Sequence, residues 1–267
     1  LTESLTLDKI QSLSIMTRLP ADRRQQILQF LERHGSARTV ELSRVLGSSV
    51  ATVRRDLEAL TEQRLIERTH GGALLARMGT AQEPPYALKT RRMRAEKEAI
   101  GDRAAQMVPV GSTVILDSGT TALALARRLA GRRLTVIALD LPVAQAAADG
   151  QTEVLVVGGR VRNGLYSLVG PWSEGPLASL HADLFFLGAD AVDDDAVTNS
   201  TVDEAAIKRL AMRAARETIL IADHSKFGRR ALTRVCLLDD LSAVVTDRGI
   251  GDREATLRER VRQVVIV

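Results

Sequence analysis

The chain has 267 residues, 26% charged and 45% hydrophobic, with a formal net charge of +4 and one cysteine, Cys236. One cysteine cannot form an internal disulfide, no run of about 20 apolar residues marks a membrane span, and the acid-bearing stretch 1–17 lacks the basic-then-apolar order of a signal peptide. Those features exclude a disulfide-stapled secreted scaffold and a transmembrane helix, and set the expectation of a cytoplasmic protein with one large domain or two smaller ones.

The basic residues are 32 Arg and 5 Lys. Residues 17–78 hold 11 Lys/Arg against 7 Asp/Glu, so the whole surplus lies there and the rest of the chain sums to zero. A local basic surplus suits a polyanion partner, although abundant Arg also follows from a GC-rich genome. Only 3% of residues are aromatic, which leaves few stacking platforms for single strands or RNA loops.

The first residues, to about position 16, read as a loosely ordered terminus. Over 22–33, Ile27, Leu28 and Leu31 recur at helical spacing and Gly35 ends the helix. A short helix is expected over 40–46, with Thr39 as N-cap candidate and Gly47 behind it. Ser48 and Ser49 can cap a third helix over 50–63 that turns Val53, Leu57 and Leu60 inward. Residues 65–68 and 73–75 flank His70-Gly71-Gly72 as a hairpin.

This order describes a winged helix-turn-helix over 17–78. Ser48, Ser49, Ala51, Thr52, Arg54 and Arg55 would enter the major groove of double-stranded DNA, and Arg68 and His70 on the wing would reach the backbone or minor groove. The competing reading is a small helical interaction module with solvated arginines.

Residues 79–86 contain Pro84-Pro85 and read as a linker. A long basic helix is expected over 87–107. Strands follow over 113–116, 134–139, 154–157, 184–187, 218–222, 243–246 and 264–267. They alternate with helices over 121–129, 142–148, 173–180, 203–217 and 253–260. Buried strands alternating with helices predict an α/β domain over 87–267 with a mostly parallel sheet.

Asp117-Ser118-Gly119-Thr120-Thr121 lies between a predicted strand and a predicted helix, where backbone N–H groups and hydroxyls can hold an anion. The Gly-Lys-Ser/Thr ending of a Walker loop is missing. Gly159 and Arg160 after a strand, Lys208 on a helix, and Asp223 and Lys226 beyond another strand are further effector-binding candidates. For each, a capped turn or a surface charge is the competing reading. His34, His70, His181 and His224 are scattered and share no ligand spacing with Cys236, so neither a metal site nor a cofactor is expected.

Arg23-Arg24-Gln25-Gln26-Ile27-Leu28, Val53-Arg54-Arg55-Asp56-Leu57 and His70-Gly71-Gly72-Ala73 resemble the winged helix-turn-helix of the DeoR family of bacterial transcription regulators. Asp117-Ser118-Gly119-Thr120-Thr121, Leu141-Pro142-Val143-Ala144, Gly158-Gly159, Leu187-Gly188-Ala189, Glu204 to Arg209 and Ala222 to Gly228 resemble that family's sensor domain. The resemblance implies a sensor domain like ribose-phosphate isomerase, in which Asp117, Lys208 and Lys226 converge. It implies a homo-oligomeric (dimeric or tetrameric) repressor of carbohydrate genes, bound to operator DNA and relieved by a sugar phosphate or polyol. The alternative is a sugar-phosphate isomerase-like enzyme, with Asp117, Asp203 or Glu204 as base. The family often has Thr-Asn-Ser where this chain has Ala138-Leu139-Asp140. Asp140 is therefore expected either to disfavour phosphate, to bind sugar hydroxyls or to point away. Asp56 is expected to be structural, orienting Arg55 or capping local backbone.

Overall fold

The computed structural model describes residues 20–62, 65–75, 83, 84, 86–148 and 150–267. The expectations for the N-terminal stretch, for Gln63 as a helix end and for linker positions 79–82 and 85 lie outside the described residues. The chain divides into two compact units, Leu1–Met78 and Gly79–Val267.

In the first unit, helices α1 (Pro20–His34), α2 (Thr39–Leu46) and α3 (Val50–Glu62) are joined to strands β1 (Ser36–Arg38), β2 (Ile66–Thr69) and β3 (Gly72–Leu75). Ile27, Leu31, Leu42, Val53 and Leu57 are withdrawn from water and form its core. Each such side chain contributes about 1.5–3 kcal/mol. Gly47, at φ 61°, ends α2, and Ser49 Oγ accepts the Thr52 N–H at 3.1 Å to cap α3. The sequence pattern missed β1, which is too short to show alternation. It pairs antiparallel to β3 and makes the wing three-stranded. Gly72 permits that contact, because a Cβ there would sit 2.2 Å from the Ala37 carbonyl oxygen.

The second unit opens with α4 (Tyr86–Arg91) and α5 (Arg94–Gln106), where one helix over 87–107 was expected. The break is at Met93, which takes the left-handed φ of 49°. The Lys97 ammonium donates to the carbonyls of Lys89 at 2.6 Å and Arg92 at 2.7 Å, satisfying backbone groups freed by the break.

Then follow β4 (Thr113–Leu116), α6 (Thr120–Leu129), β5 (Thr135–Ala138), α7 (Leu141–Ala147), β6 (Glu153–Val156), β7 (Arg160–Val161), β8 (Leu168–Val169), α8 (Pro171–Ala178) and β9 (Ala182–Leu187). The chain continues through β10 (Ala191–Val192), β11 (Ala196–Asn199), α9 (Val202–Ala214), β12 (Ala215–Ile221), β13 (Thr233–Leu237), β14 (Ala243–Thr246), α10 (Arg253–Arg260) and β15 (Val264–Ile266). The helix expected over 203–217 ends at Ala214, because Ala215 and Glu217 already pair with Ala182 and Leu184. Two small antiparallel groups, β10-β11-β13 and β7-β8, also escaped the sequence pattern.

The main sheet has seven strands in the order β15-β14-β12-β9-β4-β5-β6, with every pairing parallel. Ile115 and Phe185 face one core with Leu177, Ile207 and Leu257. Val114, Leu116 and Phe186 face the other with Ile100, Leu125 and Val143. Burial on both faces explains the apolar strand runs. From β4 the chain moves outward through β5 and β6, then returns to the other side of β4 at β9. Strand order therefore reverses between β4 and β9, the crevice where open parallel sheets bind ligands. Among the described residues, no helix is long and apolar enough to cross a membrane.

Candidate effector pocket and DNA-reading face

The loops after β4, β9 and β12 meet at that crevice. Asp117 is buried and accepts three donors: the Ser118 N–H at 2.7 Å, the Gly188 N–H at 2.8 Å and the Lys208 ammonium at 3.0 Å. Lys208 also donates to the Gly188 carbonyl at 3.0 Å. Burial opposes the charge on Lys208, yet Asp117, Glu204 and Asp190 raise its pKa and hold it as an ammonium. Ser118 Oγ donates to Glu204 at 3.0 Å. Gly119 takes φ 102° and turns the chain into α6, whose first N–H groups have no acceptor within the helix.

Four of the five lysines of the sequence line this one pocket: Lys89, Lys97, Lys208 and Lys226. Three carboxylates, Glu83, Asp190 and Glu204, share the lining and bring oxygens within 4.8 Å of one another. Cations meet that charge. Glu83 pairs with Lys89, and Arg162 bridges Glu83 at 3.0 Å and Glu204 at 2.6 Å. Burial works against the Asp190 carboxylate, but Lys89, Lys208 and Lys226 hold its pKa down at about 2. Two lysines of the lining carry positive charge that burial makes costly. Burial lowers Lys97 to about 8, with Asp223 opposing and Lys226 and Lys89 adding to the fall. Burial and Lys89 lower Lys226 as well. An anion beside Lys97, Lys226 and the start of α6 would offset the cost of burying those ammonium groups, and the carboxylates of the lining can accept hydroxyl donors.

The expected effector residues divide. Ser118, Gly119, Thr120, Thr121, Lys208 and Lys226 line the pocket. Asp117 stands behind it through Lys208. Asp140 is fully buried and accepts the N–H groups of Val143 at 3.0 Å and Gly119 at 3.2 Å, which caps α7 and props the loop from behind. Gly159 lies against Ser173, whose Oγ would be 2.0 Å from an added Cβ. Arg160 is exposed and pairs with Asp203 at 2.9 Å, outside the lining. Asp223 is buried and caps the turn His224–Lys226 by accepting the Ser225 N–H at 3.1 Å. Sequence reasoning missed Glu83, Lys89, Lys97 and Asp190 as lining residues, and singled out Glu204 only as a candidate base of the enzyme alternative. The available signal was the rarity of Lys in an Arg-rich chain.

On the first unit, Ala51, Arg54 and Arg55 are exposed along the start of α3, with Ser49 at its cap and Ser48 and Thr52 part-buried. Arg68 and His70 are exposed on the wing. Arg38 and Arg44 add exposed charge that sequence reasoning did not single out. Asp56 is structural, but its partners are Arg23 at 2.5 Å and Arg24 at 3.2 Å, which tie α3 to α1, rather than Arg55.

Residues 23–78 match the model of the DeoR-like helix-turn-helix domain, and residues 92–248 match the DeoR C-terminal sensor domain. The chain is 34% identical to the HTH-type transcriptional regulator GlpR of Haloferax volcanii, over 91% of this chain and 94% of that protein. It is 34% identical to a putative aga operon transcriptional repressor of Escherichia coli, over 92% and 94%. It is 32% identical to a lactose phosphotransferase system repressor of Staphylococcus aureus, over 91% and 98%. Ribose 5-phosphate isomerase A of Methanocaldococcus jannaschii aligns with 51% of this chain and 55% of its own, at 17% identity and a TM-score of 0.38.

Proposed function

The chain belongs to the DeoR family of transcriptional regulators, and from that membership we propose that it represses carbohydrate-metabolism genes until a sugar phosphate occupies the switch-point pocket. It is a DNA-binding regulator rather than an enzyme. The observation that carries the effector reading is the gathering of four of five lysines in the lining of one pocket, together with the start of α6 and carboxylates that can accept hydroxyl groups. The phosphoryl group sits against Lys97, Lys226 and the Thr120 and Thr121 N–H groups. The sugar hydroxyls face Asp190 and Glu204. A homo-oligomer in the cytoplasm presents two or more reading units to operator repeats. Ser49, Arg54 and Arg55 address the major groove, and Arg68 addresses the backbone.

A thermal-shift screen of sugar phosphates against the matching free sugars and polyols tests the effector. Stabilisation that grows with the logarithm of ligand concentration is expected only for phosphorylated members. Equal shifts with the unphosphorylated sugars would refute the phosphate assignment. Repression is tested by adding the stabilising ligand to a complex with DNA that the protein selects from a random pool. Release of the DNA is the expected result, and tighter binding would overturn the derepression model.

A further inference from the structure

The interior of the pocket is narrow. Its lining leaves about 30 Å³ of free space, on the order of a single water. Sites for metabolite-sized ligands are typically about ten times larger or more. A lining group that moved aside would widen it, and the contacts of Glu83 single that residue out.

Glu83 is a carboxylate bound to the cation of an anion site. It pairs with Lys89, whose ammonium lies 4.0 Å from the position of a Cβ on Gly119, at the start of α6. Its other oxygen is buried, lacks a well-directed hydrogen bond and faces Arg162 at 3.0 Å. It is crowded by two more carboxylates, Asp190 and Glu204. Burial, then those two neighbours, raise its pKa, with Lys89 opposing. With Glu83 in place, four lysines of the lining face three carboxylates, and without it they face two. Its departure therefore frees space, removes like-charge crowding and opens positive charge for an incoming anion.

Glu83 also has a position from which its departure can be transmitted. It lies five residues beyond Met78, where the DNA-reading unit ends. The adjoining chain is pinned by the Tyr86 N–H bond to the Gly164 carbonyl at 3.3 Å and by edge-on packing of Tyr86 on Tyr166.

We infer that Glu83 is a tethered occupant of the effector pocket, which the effector's phosphate displaces from Lys89, so that ligand binding frees the chain leading to the DNA-reading unit. This rests on the phosphate reading of the pocket and adds to it the group with which the effector competes. Ligand affinity is then set partly by the fraction of molecules in which Glu83 is already out.

The test uses inorganic phosphate and the full chain. Isothermal titration compares the wild type with Glu83→Gln and Glu83→Asp. Gln removes the competing charge, and Asp keeps the charge but shortens its reach. Both variants are expected to bind phosphate about ten-fold tighter or more. Glu83→Asp at wild-type affinity would reduce the effect to bulk charge and overturn the inference. Hydrogen exchange on the wild type needs no variant to fold. The peptide spanning 83–92 is expected to exchange faster with saturating phosphate while the loop 117–122 exchanges more slowly. Slower exchange in both segments overturns the inference. Equal phosphate affinity in all three proteins removes Glu83 as competitor and leaves the anion pocket standing. Absence of phosphate binding in all three overturns the pocket reading and this inference with it.

Discussion

Asp140 occupies a position where its charge is costly and its geometry is useful. Burial raises its pKa from 3.8 to about 6, against the two N–H groups that favour the ionised form. Between those pH values the folded chain keeps a proton that the unfolded chain has released. Stability therefore falls as pH rises from about 4 to about 6, and the loss persists above that. Measured by urea unfolding, the wild type should lose up to about 3 kcal/mol relative to Asp140→Ser across that interval, with no further change from pH 7 to 8. A difference that is constant with pH would show that Asp140 does not titrate there. Asp56 is the opposite case, a buried carboxylate matched by two guanidinium groups. Asp56→Ala leaves Arg23 and Arg24 without that partner. It should destabilise the reading unit by about 2–3 kcal/mol, discounted from a fully buried pair because Arg24 is partly solvated. Far-ultraviolet melts would detect it.

At the scale of elements, Gly159 lies where the start of β7 meets α8. An added methyl would meet Ser173 Oγ at 2.0 Å and the Val169 carbonyl at 2.8 Å, on a backbone already at φ 105°. Gly159→Ala should cost more than about 2 kcal/mol, read as a lower denaturant midpoint, from packing and strain together. The elements of the main sheet were legible because strands buried on both faces are written as apolar runs, as in Val114-Ile115-Leu116 and Ala243-Val244-Val245. The loop 117–121 was legible for a similar local reason: a Gly followed by hydroxyls marks a strand-to-helix turn. Two-residue strands such as β7 and β10 carry no period to detect. The break at Met93 was hidden because Lys97 reaches back to close it, a contact invisible to local propensity. The lysines of the pocket come from four separate segments, and only the fold brings 89, 97, 208 and 226 together. Glu83 was masked by its place beside Pro84, in a stretch whose composition reads as a linker.

At the scale of the molecule, the net charge of +4 falls within the DNA-reading segment, so DNA affinity should fall steeply with salt. Arg54→Ala and Arg68→Ala should separate two kinds of contact. The first is expected to cost about 1–3 kcal/mol and relax sequence preference. The second should weaken all sequences alike and lower the slope of log affinity against log salt by about 0.9. Binding titrations at several salt concentrations on selected and scrambled DNA would distinguish them. Identical behaviour of the two variants would place both arginines on the phosphate backbone. The division between arginine and lysine has a separate consequence for the chemist. Lys9 aside, every side-chain amine of this sequence lines the pocket. In a Lys9→Arg variant, chemistry directed at side-chain amines therefore becomes a reagent for one site. Reductive methylation with an isotope-labelled aldehyde would place NMR reporters around the ligand, and acylation would inactivate sensing while sparing all 32 arginines.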